Sequence, residues 1–250
     1  MRAMVLAAGM GTRLQPLTNE RPKALVEVAG RTLLEITLAR LRGEGVRDVI
    51  VNVHHFADMV IDYLQANHNF GMHIEVSREE ILLDTGGGLK KAGYFFLSKA
   101  GHPEEPFLVH NVDVVSTIDL AAMVRSHREK QALATLAVQR RNTSRYLLFD
   151  GQLRLCGRQT EKDVSAETAA RFPPPVTALA FSGIHVVSPR LFAKLTEEGA
   201  FSIVTAYLRL AAEGERIQAF EENGAYWCDL GRPESVAQAA EDLKQQTLSY

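Results

Sequence analysis

Leu6-Ala7-Ala8-Gly9-Met10-Gly11-Thr12-Arg13-Leu14, followed by Pro22-Lys23-Ala24-Leu25, is the stretch on which the fold turns. An apolar run enters a glycine-containing turn and meets an arginine at once. Such a run is a buried strand delivering a loop to the C-terminal edge of a sheet, where ligands bind in open α/β folds. The small residues Ala7, Ala8, Gly9 and Gly11 let the backbone approach a nucleotide closely and leave N–H groups able to face phosphate. Arg13 adds a forked cation, and Lys23, held by the proline before it, adds a second. Two other phosphate-binding patterns are excluded. Leu14 stands where the dinucleotide fingerprint wants its third glycine, and no Gly-Lys-Ser/Thr follows a strand.

Outward from this loop, short apolar runs alternate with amphipathic stretches. Residues 4–7 read as a strand, 32–41 as a helix with Leu33, Leu34, Leu38 and Leu41 on one face, and 49–53 as a second strand. A helix at 57–65, strands at 73–76 and 107–110, a helix at 120–128 and a strand at 134–138 continue the order. The repetition predicts an α/β fold: a Rossmann-like, mostly parallel sheet flanked by helices. The middle of the chain differs. Residues 146–149, then Asp150-Gly151, then 152–155 predict a hairpin closed by a tight primed turn, and Phe172-Pro173-Pro174-Pro175 predicts a loop. Beyond it, 178–187 reads as a long strand, 203–212 and 234–245 as helices, and 217–220 as a strand between them.

Composition narrows the classes of function. The 250 residues are 46% hydrophobic and 23% charged, which suits one large domain with a full core. A formal net charge of -2 supplies no overall field for nucleic acid or for an anionic membrane. The apolar run 3–8 is too short for a membrane span or a signal peptide. Cys156 and Cys228 lie far apart without CxxC spacing, favouring neither a disulfide nor a zinc site and pointing to a reducing, cytoplasmic setting. No internal repeat is visible, hexapeptide repeats of a β-helix included. His54-His55 follows the second strand, where adjacent side chains face opposite ways and do not share a metal.

Three later segments carry chemistry. Asp113, in His110-Asn111-Val112-Asp113, ends the fourth strand at the edge that holds the phosphate loop, where a carboxylate suits Mg²⁺. Asp229 lies in Trp227-Cys228-Asp229-Leu230-Gly231-Arg232-Pro233. The run Leu82-Leu83-Asp84-Thr85-Gly86-Gly87-Gly88-Leu89 enters a helix, its glycines permitting close backbone approach to a base or a sugar ring.

These motifs resemble the sugar-1-phosphate nucleotidylyltransferases, whose signature AAGxGTRLxPLT and PKxLxxxxG is present here from Ala7 to Thr18 and from Pro22 to Gly30. The glycine run is similar to that of short uridylyltransferases acting on N-acetylmuramate 1-phosphate. The resemblance implies a nucleotide-diphospho-sugar transferase fold in one domain, 1–250. Residues 1–140 would form the nucleotide-binding core, 141–232 a small β-rich sugar-facing part carrying the second metal ligand, and 233–250 a C-terminal helix. It implies nucleotide binding by Leu6, Ala7, Ala8, Gly9, Gly11, Thr12, Arg13, Thr85 and Gly86, with Arg13 and Lys23 catalytic. Gly88, Asn111 and Gly183 would meet the sugar, and Asp113 and Asp229 would hold Mg²⁺. Many relatives carry a Glu-Lys-Pro at the sugar. Here only Glu161-Lys162-Asp163 is similar, so Lys162, Arg145 and Arg158 stay open as anion partners.

The reaction so implied joins a nucleoside triphosphate to a sugar 1-phosphate in one in-line displacement and releases pyrophosphate. The attacking phosphate is already an anion near neutral pH, with its second pKa at about 6, so no general base is required. The magnesium ion would align two polyanions that otherwise repel, while Arg13 neutralises the leaving pyrophosphate and Lys23 the transferring group. Uridylyl transfer to N-acetylmuramate 1-phosphate, a cell-wall sugar, is the first reading. Guanylyl transfer to a mannose- or heptose-type phosphate is the second. A silent regulatory subunit would tolerate degenerate loop and metal residues, and none is seen; Leu14 disfavours an oxidoreductase.

Overall fold

The computed structural model describes residues 1–98, 104–160 and 175–244. Strand β1 (Arg2–Leu6) lies at the centre of the large sheet, and its side chains alternate between two cores. Ala3 and Val5 face one cluster and Met4 and Leu6 the other, because both faces of a parallel sheet must be covered. A two-stranded ribbon, β2 (Glu27–Val28) and β3 (Arg31–Thr32), leads into α1 (Leu33–Gly43). Thr32 caps this helix by accepting the Glu35 N–H at 3.1 Å, and Leu33, Leu34, Leu38 and Leu41 are buried, as their spacing predicts.

The chain then runs through β4 (Asp48–Val53), α2 (Ala57–Ala66), β5 (His73–Arg78), α3 (Asp84–Lys91), α4 (Gly93–Leu97), β6 (Phe107–Asn111), β7 (Val114–Ser116), α5 (Leu120–Glu129) and β8 (Ala134–Gln139). After β9 (Arg145–Phe149), β10 (Leu155–Thr160) and β11 (Thr177–Val187) come α6 (Ile203–Ala212), β12 (Ile217–Glu221), β13 (Trp227–Asp229) and α7 (Pro233–Lys244). The order β6-β1-β4-β5 is wholly parallel, and β12 is parallel to β8. Strand β11 runs antiparallel between β6 and β8, with His185 to Val187 paired to both, making the sheet mixed. Its first residues, Thr177 to Leu179, pair with β9, so the β9–β10 hairpin forms a small antiparallel extension of the sheet.

The hairpin differs from the sequence expectation in its turn and second strand. Asp150 Oδ1 accepts the N–H groups of both Gln152 and Arg154 at 2.8 Å, and Leu153 takes a left-handed φ of 58°. The aspartate side chain thereby builds a longer loop than the two-residue turn its Asp-Gly pair suggests, and pairing resumes only at Leu155. The segment 161–163, Phe172, Pro173, Pro174 and Gln245 lie outside the described residues. No helix among those described is long and apolar enough to cross a membrane.

Candidate active site

The loop after β1 is shaped by a left-handed glycine. Gly11 has φ 65°, and its carbonyl accepts both the Leu14 N–H at 2.8 Å and the Thr18 hydroxyl at 2.8 Å. A Cβ there would sit 2.8 Å from Thr18 Cγ2, so the turn closes only over hydrogen. It continues as a 3₁₀ turn, Thr12–Leu14, with Leu14 fully buried as its anchor and Arg13 exposed. A second 3₁₀ turn, Lys23–Leu25, starts after Pro22 and turns the Lys23 ammonium inward to the Asp113 carboxylate.

Asp113 follows β6 directly. Val112 N–H donates to Leu6 O at 3.1 Å, tying this edge to the end of β1. The short strand β7 then pairs antiparallel with β13, setting Asp229 opposite Val114, and Leu230 N–H donates to Asp113 O at 2.8 Å. Two aspartates remote in sequence thus become neighbours. Burial pushes the Asp229 carboxyl above its ordinary range, and the Asp113 charge pushes it the same way against the pull of Lys23 and Arg13. The Arg13 guanidinium lies 4.0 Å from Asp229 and passes over Gly231, whose N–H donates to Asp229 Oδ1 at 2.8 Å. A Cβ on Gly231 would stand 2.6 Å from Arg13 Nη2.

This pair fits a magnesium ion by its donor set. Mg²⁺ takes one or two carboxylates and fills its remaining positions with water and substrate phosphate. No group of three His, Cys, Asp or Glu that could cage a metal alone occurs among the described residues, which leaves those positions to substrate.

A cavity of about 220 Å³ opens beside Asp113. Of the residues singled out in the sequence, Leu6, Ala8, Gly9, Lys23, Thr85, Asn111 and Asp113 line it. Asn52, Leu82, Asp84 and Val112 line it as well, and sequence reading missed them. Asn52 had one available signal, being the single polar residue in the apolar run of β4. It accepts the Ala7 N–H at 2.8 Å and donates to Glu79 at 2.7 Å, so that amide after β1 is already engaged.

Three glycines have structural duties that the sequence does not display. Gly86, Gly87 and Gly88 lie buried in the first turns of α3, and a Cβ on Gly86 would stand 2.3 Å from the Phe201 ring. On Gly88 it would meet Asn52 and Glu79 at 2.7 Å. Their close approach is to protein, and the Thr85 hydroxyl, besides lining the cavity, accepts the Ile203 N–H at 3.0 Å. Gly183, at φ 74° in the irregular part of the β11–β8 pairing, leaves room for Asn111 Nδ2, which a Cβ would approach to 2.9 Å. Beneath this wall, burial holds His110 at a pKa of about 3, so it is neutral and carries no proton for chemistry at neutral pH. His54 lies after the end of β4 with Nδ1 2.9 Å from Glu79 O, and so is not a strand residue paired with His55. Arg145 and Arg158 are exposed on the hairpin.

Residues 2–246 match the nucleotidyl transferase family. The chain belongs to that family. It is 35% identical to the N-acetylmuramate alpha-1-phosphate uridylyltransferase of Caulobacter vibrioides over 97% of each chain. It is 28% identical to the mannose-1-phosphate guanylyltransferase of Mycobacterium tuberculosis, covering 96% of this chain and 64% of the other. Its fold matches a UDP-glucose pyrophosphorylase solved with UDP-glucose, at a TM-score of 0.77, 18% identity and 98% coverage of both chains. This nucleotidyl transferase has the mixed, largely parallel core of the nucleotide-diphospho-sugar transferase fold.

Proposed function

We propose that this nucleotidyl transferase moves a uridylyl group from UTP to N-acetylmuramate 1-phosphate or a related hexose phosphate and releases pyrophosphate. The observation that carries the reading is the convergence of Arg13, Lys23, Asp113 and Asp229 in one electrostatic cluster, of which Lys23 and Asp113 line the cavity. Two cations and a carboxylate pair suit a reaction whose main obstacle is repulsion between two phosphates. The base and sugar rest on similarity to the uridylyltransferase of Caulobacter vibrioides along nearly the whole of both chains.

When bound, Mg²⁺ on Asp113 and Asp229 would supply charge neutralisation of the phosphates. The chain's own groups act around it. Lys23 leaves its ion pair with Asp113 for the transferring phosphate, and Arg13 takes the leaving pyrophosphate. Asn111, with space secured by Gly183, hydrogen-bonds the sugar, and the backbone at Ala8 and Gly9 borders the nucleotide. The two free thiols agree with a cytoplasmic site of action, and a muramate product with a role in cell-wall sugar supply.

The test is pyrophosphate release with Mg²⁺, crossing UTP, GTP, CTP, dTTP and ATP against N-acetylmuramate, N-acetylglucosamine, glucose, mannose and heptose 1-phosphates. Release restricted to UTP and an amino-sugar phosphate is expected. Turnover with GTP and mannose 1-phosphate would instead select the guanylyl reading, which the Mycobacterium tuberculosis relative favours. Silence with every pair would sink both.

A further inference from the structure

Arg141 is a cation that the scheme above leaves unused. It follows β8, where the chain enters the antiparallel extension, and its guanidinium lies over the Trp227 ring with 3.5 Å to the centroid. Its Nη2 donates to Phe181 O at 2.6 Å, and Trp227 Nε1 donates to Ser182 O at 2.8 Å, so both side chains are tied to the irregular part of β11. Trp227 and Asp229 are two residues apart on one strand and share a face, which sets Arg141 beside the metal-binding carboxylate.

These contacts explain where Arg141 is held but not why it must be charged. Burial lowers the Arg141 pKa and the Asp229 charge acts against that, yet among the described residues no ion pair within 4 Å joins the two, and the buried Nε–H of Arg141 has no acceptor. A guanidinium keeps its proton in proteins, and one half-buried with only this indirect support from a carboxylate gains from a bound anion. The nucleotide's phosphates already have Arg13 and Lys23, which come from the β1 side. Arg141 comes instead from the chain after β8 and lies against Trp227.

We propose that Arg141 binds the phosphate of the sugar 1-phosphate acceptor. The assignment rests on the reading that a sugar 1-phosphate is the second substrate. It gives each polyanion its own cation, and it places an acceptor-binding group within the described residues, independent of Lys162.

Trp227 is the protein's single tryptophan, so its emission reports directly on the ring that Arg141 covers. Protein loaded with Mg²⁺ and a UTP analogue that cannot be cleaved is titrated with N-acetylmuramate 1-phosphate, glucose 1-phosphate and the two unphosphorylated sugars. A saturable change is expected with a phosphorylated sugar and not with its free counterpart. Arg141→Ala should weaken that binding by about tenfold or more and Arg141→Lys by less, since lysine keeps the charge and loses the fork. Affinity for the UTP analogue, measured by calorimetry, should stay within about twofold, since charged contacts to it come from elsewhere.

Equal loss of both ligands in Arg141→Ala would overturn the proposal, leaving Arg141 as a prop for Trp227 and Asp229. Unchanged acceptor binding, or a wild type without any phosphate-dependent response, would overturn it too. Arg141-dependent binding in a protein that releases no pyrophosphate with any substrate pair would sink the transfer reading instead and leave this assignment standing.

Discussion

Lys23 and Arg13 reach the site from turns that the chain completes within a few residues, whereas Asp229 reaches it only because β13 pairs with the distant β7. On the first side, a left-handed glycine, a proline and a buried leucine fix the cations through local backbone geometry. On the other, an irregular antiparallel pairing, a cation–π stack and a glycine without room for a methyl group fix the carboxylate and its neighbours. Local turns tolerate change elsewhere in the protein. Long-range pairing transmits it, so the second side should be easier to disturb from a distance.

The largest effect should come where the two sides meet. Asp113→Ala removes a carboxylate proposed to hold the metal and leaves the mostly buried Lys23 without its partner. Losing several kcal/mol of charge stabilisation corresponds to a fall in kcat of roughly a thousandfold or more. Steady-state pyrophosphate release checks this, with Asp113→Asn as the shape-preserving control. Retention of near-normal Mg²⁺-dependent turnover in either variant would remove Asp113 from the reaction.

The next effect separates the sides. Gly231→Ala places a methyl group 2.6 Å from Arg13 Nη2 and 2.8 Å from Asp229 Oδ1, so one of them must move. Both are side-chain ends at the surface of the site, and the fold can survive their shift. A displacement of order 1 Å at a reacting centre costs up to about a hundredfold in rate. The expected result is kcat down by about ten- to a hundredfold with the melting temperature nearly unchanged. A folded variant with unaltered kcat would show that Arg13 need not lie over Gly231 during turnover.

A third comparison isolates space from backbone strain. Gly183 and Gly30 both have left-handed φ, 74° and 79°. A Cβ on Gly183 meets Asn111 and Val114 at 2.9 Å, whereas one on Gly30 meets nothing within 4 Å. Gly30→Ala should cost only the strain, about 1–2 kcal/mol, or a few degrees of melting temperature. Gly183→Ala should cost more and also weaken acceptor binding through Asn111. Equal melting temperatures in the two variants would mean that the wall around Gly183 gives way freely.

The same contrast governs what could be read from the sequence. The glycine loop, its two cations and the strand-helix order were legible because each is a short pattern with one local meaning. The first strand follows from its continuous apolar run before a glycine turn, and the buried helical face of Leu33, Leu34, Leu38 and Leu41 from its spacing. The duties of Gly86 and Gly88 were not legible, because a glycine required by Phe201 or by Asn52 looks identical to one required by a ligand. Arg141 sits in a polar run, Arg140-Arg141-Asn142, and only the fold brings Trp227 beneath it. The hairpin forms where the Asp-Gly pair predicts it, with a longer turn, because the Asp150 side chain and not the glycine organises it.

The smallest effect concerns stability, and its sign runs against activity. Folding raises the Asp229 pKa, by burial first and by the charge of Asp113 second. A carboxyl raised on folding binds its proton more tightly in the native state, so ionising it at neutral pH costs the folded protein stability. In acid, below the ordinary carboxylate range, the group is protonated in both states and the cost vanishes. Asp229→Asn removes the charge at every pH. In metal-free buffer it should therefore raise the melting temperature slightly at pH 7, and by less as the pH falls. Adding Mg²⁺ should stabilise the wild type more than the variant, because only the wild type keeps both carboxylates to bind it. Parallel melting curves across pH, with and without Mg²⁺, decide the matter. A variant less stable than wild type at pH 7 without metal would mean that the pulls of Lys23 and Arg13 outweigh burial, so that Asp229 supports the fold as well as the chemistry.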